Sequence, residues 1–167
     1  MRILFICYGN IGRSPMAEFV FKHLVHERGL DDSFEIASAA ASNISVGRPM
    51  ESGTRKQLAE HGIPYTDRVA RKMTREDYCY YDMIICMDDY NVYDLNRMTG
   101  NDPENKISLL LDYTDRAGEE IDDPYFTLNY AAAWRDIKAG CEGLLIHYLK
   151  ILELQLVWVQ YTIKKVR

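Results

Sequence analysis

Two kinds of segment alternate along the chain. Ile3-Leu4-Phe5-Ile6 and Met83-Ile84-Ile85-Cys86-Met87 are apolar runs without a polar break, the pattern of strands buried on both faces. Residues 2–6 read as the first strand, Phe34-Glu-Ile-Ala-Ser38 as the second, Met83–Met87 as the third and Lys106–Leu110 as the fourth. The segments between them have helical spacing. Residues 15–28 end at Gly29, and residues 51–61 end before Gly62; glycine just past a helix terminates it. Thr74 is placed to cap a short helix at Arg75-Glu76-Asp77. Asp88-Asp89-Tyr90-Asn91 brings acidic residues to the start of another helix, and a long helix starts near Thr127. This alternation predicts an α/β fold: a single-domain sandwich with a four-stranded parallel sheet flanked by helices on both faces. Ligands of such sheets sit beyond the carboxyl ends of the strands, where Cys7, Ser38 and Asp88 lie.

Composition narrows the classes. The chain has 167 residues with 47% apolar and 27% charged content, as expected of one soluble domain. A net charge of −5 argues against nucleic acid as a partner. Cys7, Cys79, Cys86 and Cys141 include no Cys-x2-Cys pair, so neither a metal nor another cofactor is expected. Cys79, Cys86 and Cys141 read as buried structural positions. Met1 runs straight into a strand, so no leader is expected. Lys150 and Glu153 interrupt the most apolar stretch, so no membrane partner is expected. A reducing cytoplasm fits and keeps Cys7 a thiol.

The chemistry concentrates in Cys7-Tyr8-Gly9-Asn10-Ile11-Gly12-Arg13-Ser14-Pro15. A strand leads into this loop and a helix follows it. Loop amides and the helix dipole together favour an anion there, and they favour the thiolate form of Cys7 as a nucleophile. Arg13 offers a planar fork that matches phosphate oxygens. Gly9, Gly12 and Asn10 permit backbone with positive φ. Pro15 suits a first helical turn, and Ser14 reads as its N-cap. A thiolate that attacks a phosphate ester expels an alkoxide or phenoxide, which needs a proton. Asp123, in Asp122-Asp123-Pro124-Tyr125-Phe126, is the candidate donor.

Cys7-x5-Arg13-Ser14-Pro15 together with Asp123-Pro124-Tyr125 resembles the low-molecular-weight protein tyrosine phosphatases. The resemblance covers roughly residues 1–150, with residues 151–167 as a C-terminal extension. Ser38-Ala39-Ala40, Val46-Gly47, His61-Gly62-Ile63 and Cys86-Met87-Asp88 follow in the family's order. It implies hydrolysis of phosphotyrosine through a phosphocysteine on Cys7. Tyr8 to Ser14 would cradle the phosphate, with Arg13 on its equatorial oxygens and Ser14 hydrogen-bonded to the thiolate. Asn10 would be left-handed and tied to Ser38. Asp123 would act as general acid, then general base. Ser38, His61 and Asp88 match supporting positions. Tyr125 and Phe126 match aromatics beside the entering ring, and Tyr8 and Ile44 complete the pocket. Two positions depart from the family. Gly12 stands where a second cysteine is usual, so oxidised Cys7 lacks a neighbouring thiol. Ile44 stands where an aromatic often lines the pocket.

Two other activities share this loop. Arsenate reductases relay oxidation through two further cysteines, and no thiol follows Cys86 within two helical turns. A phosphoarginine-specific branch carries threonine where this chain has Ile11, and an apolar residue favours an aryl ring. A module that captures phosphotyrosine without hydrolysing it would not need Cys7, Arg13 and Asp123 together. The expected partners are phosphotyrosine proteins and, through the tail, a second copy. Leu145, Leu149, Leu152, Leu156, Val159 and Ile163 form a heptad-like stripe that extends the last helix, although Val157–Ile163 is also β-prone.

Overall fold

The computed structural model describes the backbone of residues 1–166 and the side chains of residues 1–154. Leu156, Val159 and Ile163 of the tail stripe therefore lie outside the described side chains. In chain order the elements are β1 (Arg2–Cys7), α1 (Arg13–Glu27), β2 (Glu35–Ala40), α2 (Ser52–Glu60), α3 (Arg75–Tyr80), β3 (Met83–Cys86), α4 (Asp89–Thr99), β4 (Ile107–Leu109), α5 (Pro124–Thr127) and α6 (Tyr130–Val166). The four strands form one parallel sheet in the order β2-β1-β3-β4.

Side-chain alternation along β1 divides the core in two. Ile3, Phe5 and Cys7 face the layer that includes α1 and α6, whereas Leu4 and Ile6 face Tyr78 of α3 and Leu95 of α4. From Ile3 to Cys7 both faces of β1 are buried, which is why that stretch is uninterruptedly apolar. Phe5 and Phe21 meet edge to face at 5.7 Å, worth about 0.5–1.5 kcal/mol beyond the area they bury.

The chain leaves β1 toward β2 on one side and later returns to β3 on the other. The carboxyl end of β1 is therefore the switch point of the sheet, where a crevice opens. The loop from Cys7 to Arg13 lies there.

Several boundaries differ from the sequence expectation. β1 runs on to Cys7, β2 is shifted to Glu35–Ala40, and β4 is shorter than 106–110. Leu128 is left-handed (φ 56), which stops α5 after one turn and delays the long helix to Tyr130. Ser14 is not the N-cap of α1. Gly12 holds that position without a side-chain cap, because the Ser14 hydroxyl is directed at Cys7 instead. Cys79 is exposed on α3, not buried, since α3 turns that face to solvent. Thr74 does cap α3: it accepts from the Asp77 amide at 3.2 Å, and the Asp77 carboxylate accepts from the Thr74 amide at 2.8 Å.

Candidate active site

Cys7 ends β1 with its thiol buried at the bottom of a crevice. Its Sγ lies 3.1 Å from Ser14 Oγ and accepts from the Asn10 amide at 3.3 Å. The sulfur is thus held between a backbone amide and a side-chain hydroxyl at the carboxyl end of β1.

Asn10 keeps the loop in shape. Its φ of 55° is left-handed, which asparagine tolerates when its side chain is held. Here the side chain is held on every side. Nδ2 donates to Ser14 Oγ and to Ser38 Oγ, each at 2.9 Å. Oδ1 accepts from Arg68 at 2.6 Å and from the Arg71 amide at 3.2 Å. Ser38 in turn donates to Glu18 at 2.6 Å. Gly9 and Gly12 do not take positive φ; Asn10 alone does in this loop. Gly12 serves close approach instead, because a Cβ there would lie 3.2 Å from Glu51 Oε2.

Arg13 is 2% exposed and gathers three groups. Its Nη1 donates to Asp88 at 2.6 Å and to the Ile121 carbonyl at 2.8 Å, and its Nη2 donates to Asp123 at 2.7 Å. Burial works against its charge, but Cys7, Asp123 and Asp88 outweigh burial and raise its pKa. Nε is buried and has no partner among the described residues. An unpaired donor of this kind is costly unless a ligand completes it.

Asp88 caps α4, accepting from the Asn91 amide at 2.8 Å, so one oxygen fixes the helix and the other holds Arg13. Asp123 caps α5 in the same way, accepting from the Tyr125 amide at 3.0 Å, with Pro124 opening the helix. Tyr8, Gly9, Ile11, Gly12, Ile44, Tyr125 and Phe126 line a cavity of about 190 Å³ above Cys7 and Arg13. Ser45, Arg48 and Glu51 line it too. His61 does not reach this constellation. It caps the C-terminus of α2 and stacks flat on Trp134 at 4.0 Å, because α2 carries it away from the sheet edge.

Sequence reasoning missed Glu18, Arg68, Glu51 and Tyr130. Glu18 lies one helical turn after Ser14 and is 7% exposed, a buried carboxylate on the loop-facing side of α1. Arg68 gives no local signal. Burial lowers its pKa, and Glu18 and Cys7 partly offset that. Cys86 on β3 is level with Ile6, one position before Cys7. Successive strand residues point to opposite faces, so Cys86 and Cys7 face different layers. Burial pushes the Cys86 thiol well above its usual range.

The sequence profile of a family described as low molecular weight phosphotyrosine protein phosphatase matches residues 2–155. The Bacillus subtilis low molecular weight protein-tyrosine-phosphatase YfkJ is 38% identical over 144 residues, covering 86% of this chain and 92% of that protein. A low molecular weight phosphotyrosine protein phosphatase from Sus scrofa is 43% identical over 148 residues, with 86% and 92% covered. The crystal structure of YfkJ superposes with a TM-score of 0.86 over 90% of this chain and 95% of that one, at 36% identity. The crystal structure of a drosophila arginine phosphatase superposes with a TM-score of 0.81 at 35% identity, over 89% and 98%.

Proposed function

The chain belongs to the low molecular weight phosphotyrosine protein phosphatase family, and from that premise we propose that it hydrolyses phosphotyrosine in proteins through a phosphocysteine on Cys7. The observation that carries this reading is the buried, unpartnered Nε of Arg13 beside a hydrogen-bonded Cys7 sulfur. One phosphate in the loop would give that donor its acceptor and put phosphorus in front of the nucleophile.

Two displacements follow. The Cys7 thiolate attacks phosphorus, and the bond to the phenolic oxygen breaks. Asp123 gives that oxygen its proton, so tyrosine leaves neutral. The carboxylate of Asp123 then takes a proton from water. The resulting oxygen attacks the phosphocysteine, releasing inorganic phosphate and the Cys7 thiolate. Arg13 and the loop amides hold the equatorial oxygens through both steps. In the free enzyme Asp123 lies on Arg13. The incoming dianion displaces Asp123 from that guanidinium, and the freed carboxylate takes up a proton from solvent and turns toward the leaving group. Asp88 keeps Arg13 in place meanwhile. No cofactor enters either step.

The side walls favour an aryl ring. Tyr125 and Phe126, edge to face at 5.2 Å, are largely exposed and border the cavity with Ile11, Ile44 and Tyr8. The likeness to an arginine phosphatase supports a second reading, phosphoarginine, against which the apolar Ile11 weighs. A reducing cytoplasm suits four free cysteines, and Ile146, Ile151 and Leu154, exposed on α6, support pairing with a second copy through the tail. No helix among the described residues is long and apolar enough to cross a membrane.

The direct test compares a phosphotyrosyl and a phosphoarginyl peptide. We expect kcat/KM higher on the first by tenfold or more, on the order of what pocket complementarity supplies. Cys7→Ser should abolish both, since serine is barely ionised near pH 7. A preference for phosphoarginine would reverse the substrate assignment, and an active Cys7→Ser enzyme would remove the phosphocysteine.

A further inference from the structure

Tyr130 is the first residue of α6, and its hydroxyl donates to Glu51 Oε2 at 2.8 Å. Glu51 occupies the N-cap of α2 yet makes no side-chain capping bond there; its carboxylate is spent on Tyr130. The same carboxylate lies 3.2 Å from where a Cβ on Gly12 would be, and the Glu51 amide donates to the Ile11 carbonyl at 2.9 Å. Glu51 is therefore fastened to the phosphate loop by its backbone and packed on it by its side chain.

The ring of Tyr130 is equally constrained. It lies against Gly53, where any Cβ would come within 2.6 Å of three ring atoms. A glycine inside a helix costs about 0.5–1 kcal/mol relative to alanine. Here it lets the ring reach Glu51. Burial first, then the bond to Glu51, pushes the Tyr130 phenol up to about 12, so it remains a donor across the working pH range.

Seen along the chain, the segment that carries Asp123 is tied at both ends to the phosphate loop. Asp123 rests on Arg13 at one end, and Tyr130 rests on Glu51 at the other. Between them the side chains of residues 125–129 are exposed and hold the segment to little else. When substrate takes Arg13 from Asp123, the Ile121 amide on the Met87 carbonyl at 2.8 Å still holds the segment on its N-terminal side, and Tyr130 is the tether on its C-terminal side.

We propose that the Tyr130–Glu51 pair is a positioning device for the general acid: it keeps the Asp123 segment within proton-transfer reach of the leaving group after Asp123 lets go of Arg13. This rests on Asp123 being the acid. Neither Tyr130 nor Glu51 transfers the proton. The effect should appear only where proton donation limits the rate. A structural role without this coupling would slow all substrates alike.

The experiment measures kcat/KM, which reports the step in which the leaving group departs, on phenyl phosphate and on 4-nitrophenyl phosphate. Nitrophenolate leaves without much help; phenolate needs the proton. Tyr130→Phe keeps the ring on Gly53 and removes only the hydroxyl, so folding is preserved. It should lose about tenfold on phenyl phosphate and at most about twofold on nitrophenyl phosphate, a fraction of what a misplaced catalytic group costs. Glu51→Ala should show the same selective loss on phenyl phosphate over nitrophenyl phosphate as Tyr130→Phe, and Glu51→Gln, which keeps an acceptor oxygen, should show less of that selectivity. Asp123→Asn, measured beside them, separates the two ideas. If Asp123→Asn shows the leaving-group dependence but Tyr130→Phe slows both substrates equally, or neither, the tether is wrong. If Asp123→Asn shows no leaving-group dependence, the acid assignment fails and the tether with it.

Discussion

The phosphate loop and the acid segment meet at Arg13 and are built in opposite ways. From Asn10 to Ser14 every side chain is buried. Asn10 alone contacts Ser14, Ser38, Arg68 and the Arg71 amide. From Tyr125 to Asn129 every side chain is exposed, and α5 is a single turn ending in a left-handed leucine. The difference follows from what each must do. A loop that stabilises charge on sulfur and on phosphate oxygens must be organised before substrate arrives, because reorganising dipoles during the reaction costs barrier height. A segment that delivers a proton and admits a protein-borne ring must stay open to solvent. Asp123 stands at the joint, capped by its own helix and held by Arg13.

The largest effect should come from the residue the two regions share. Arg13→Lys keeps a positive charge but replaces a rigid fork by a point ammonium. It cannot serve Asp88, the Ile121 carbonyl, Asp123 and the phosphate at once. We expect kcat to fall by about 10² or more, the scale of losing an oxyanion donor. Steady-state kinetics on 4-nitrophenyl phosphate checks this; a loss below about fivefold would mean that charge alone suffices.

A smaller loss should follow from disturbing the organised region without touching substrate. Arg68→Met removes the 2.6 Å donor to Asn10 Oδ1 and leaves the Arg71 amide as the other donor to it. Asn10 then holds its left-handed conformation less firmly, and its amide aims less well at Cys7. We expect kcat to drop about tenfold with KM changed little, as for a loosened supporting contact. The loss should be the same for good and poor leaving groups. A leaving-group-dependent loss would instead connect Arg68 to the acid segment and blur the distinction between the two regions.

The same contrast explains what the sequence disclosed. Cys7 to Ser14 is a contiguous motif, and the capping role of Thr74 is set by a neighbour three residues away. Such local chemistry is legible. The two central strands, β1 and β3, were legible too, because burial on both faces leaves an apolar run at Ile3–Cys7 and Met83–Cys86. Arg68 and Arg71 reach Asn10 from 58 and 61 positions away, and no periodicity encodes that. Ser14 looked like a cap because serine before a helix usually is one; the nearby thiol diverts its hydroxyl. His61 matched a family position, yet its ring is spent on Trp134. Glu18 could have been found, since a carboxylate one turn after Ser14 on an otherwise apolar helix face needs a buried partner.

The mildest expected effect belongs to the open region. Phe126 is 80% exposed, touches Tyr125 edge to face, and borders the cavity. It is not hydrogen-bonded into the loop network and holds no charge. An aromatic so exposed in the free enzyme gains its burial only when a substrate ring lies against it. Phe126→Ala should therefore weaken binding of aryl phosphates and leave the reacting groups undisturbed. A partial loss of one aromatic contact, about 0.5–1.5 kcal/mol, corresponds to a KM about two- to tenfold higher with kcat kept. A small alkyl phosphate, which has no ring to stack, should show no change. If kcat on an aryl phosphate fell instead, Phe126 would belong to the machinery that positions Asp123, and the acid segment would be less open than its exposure implies.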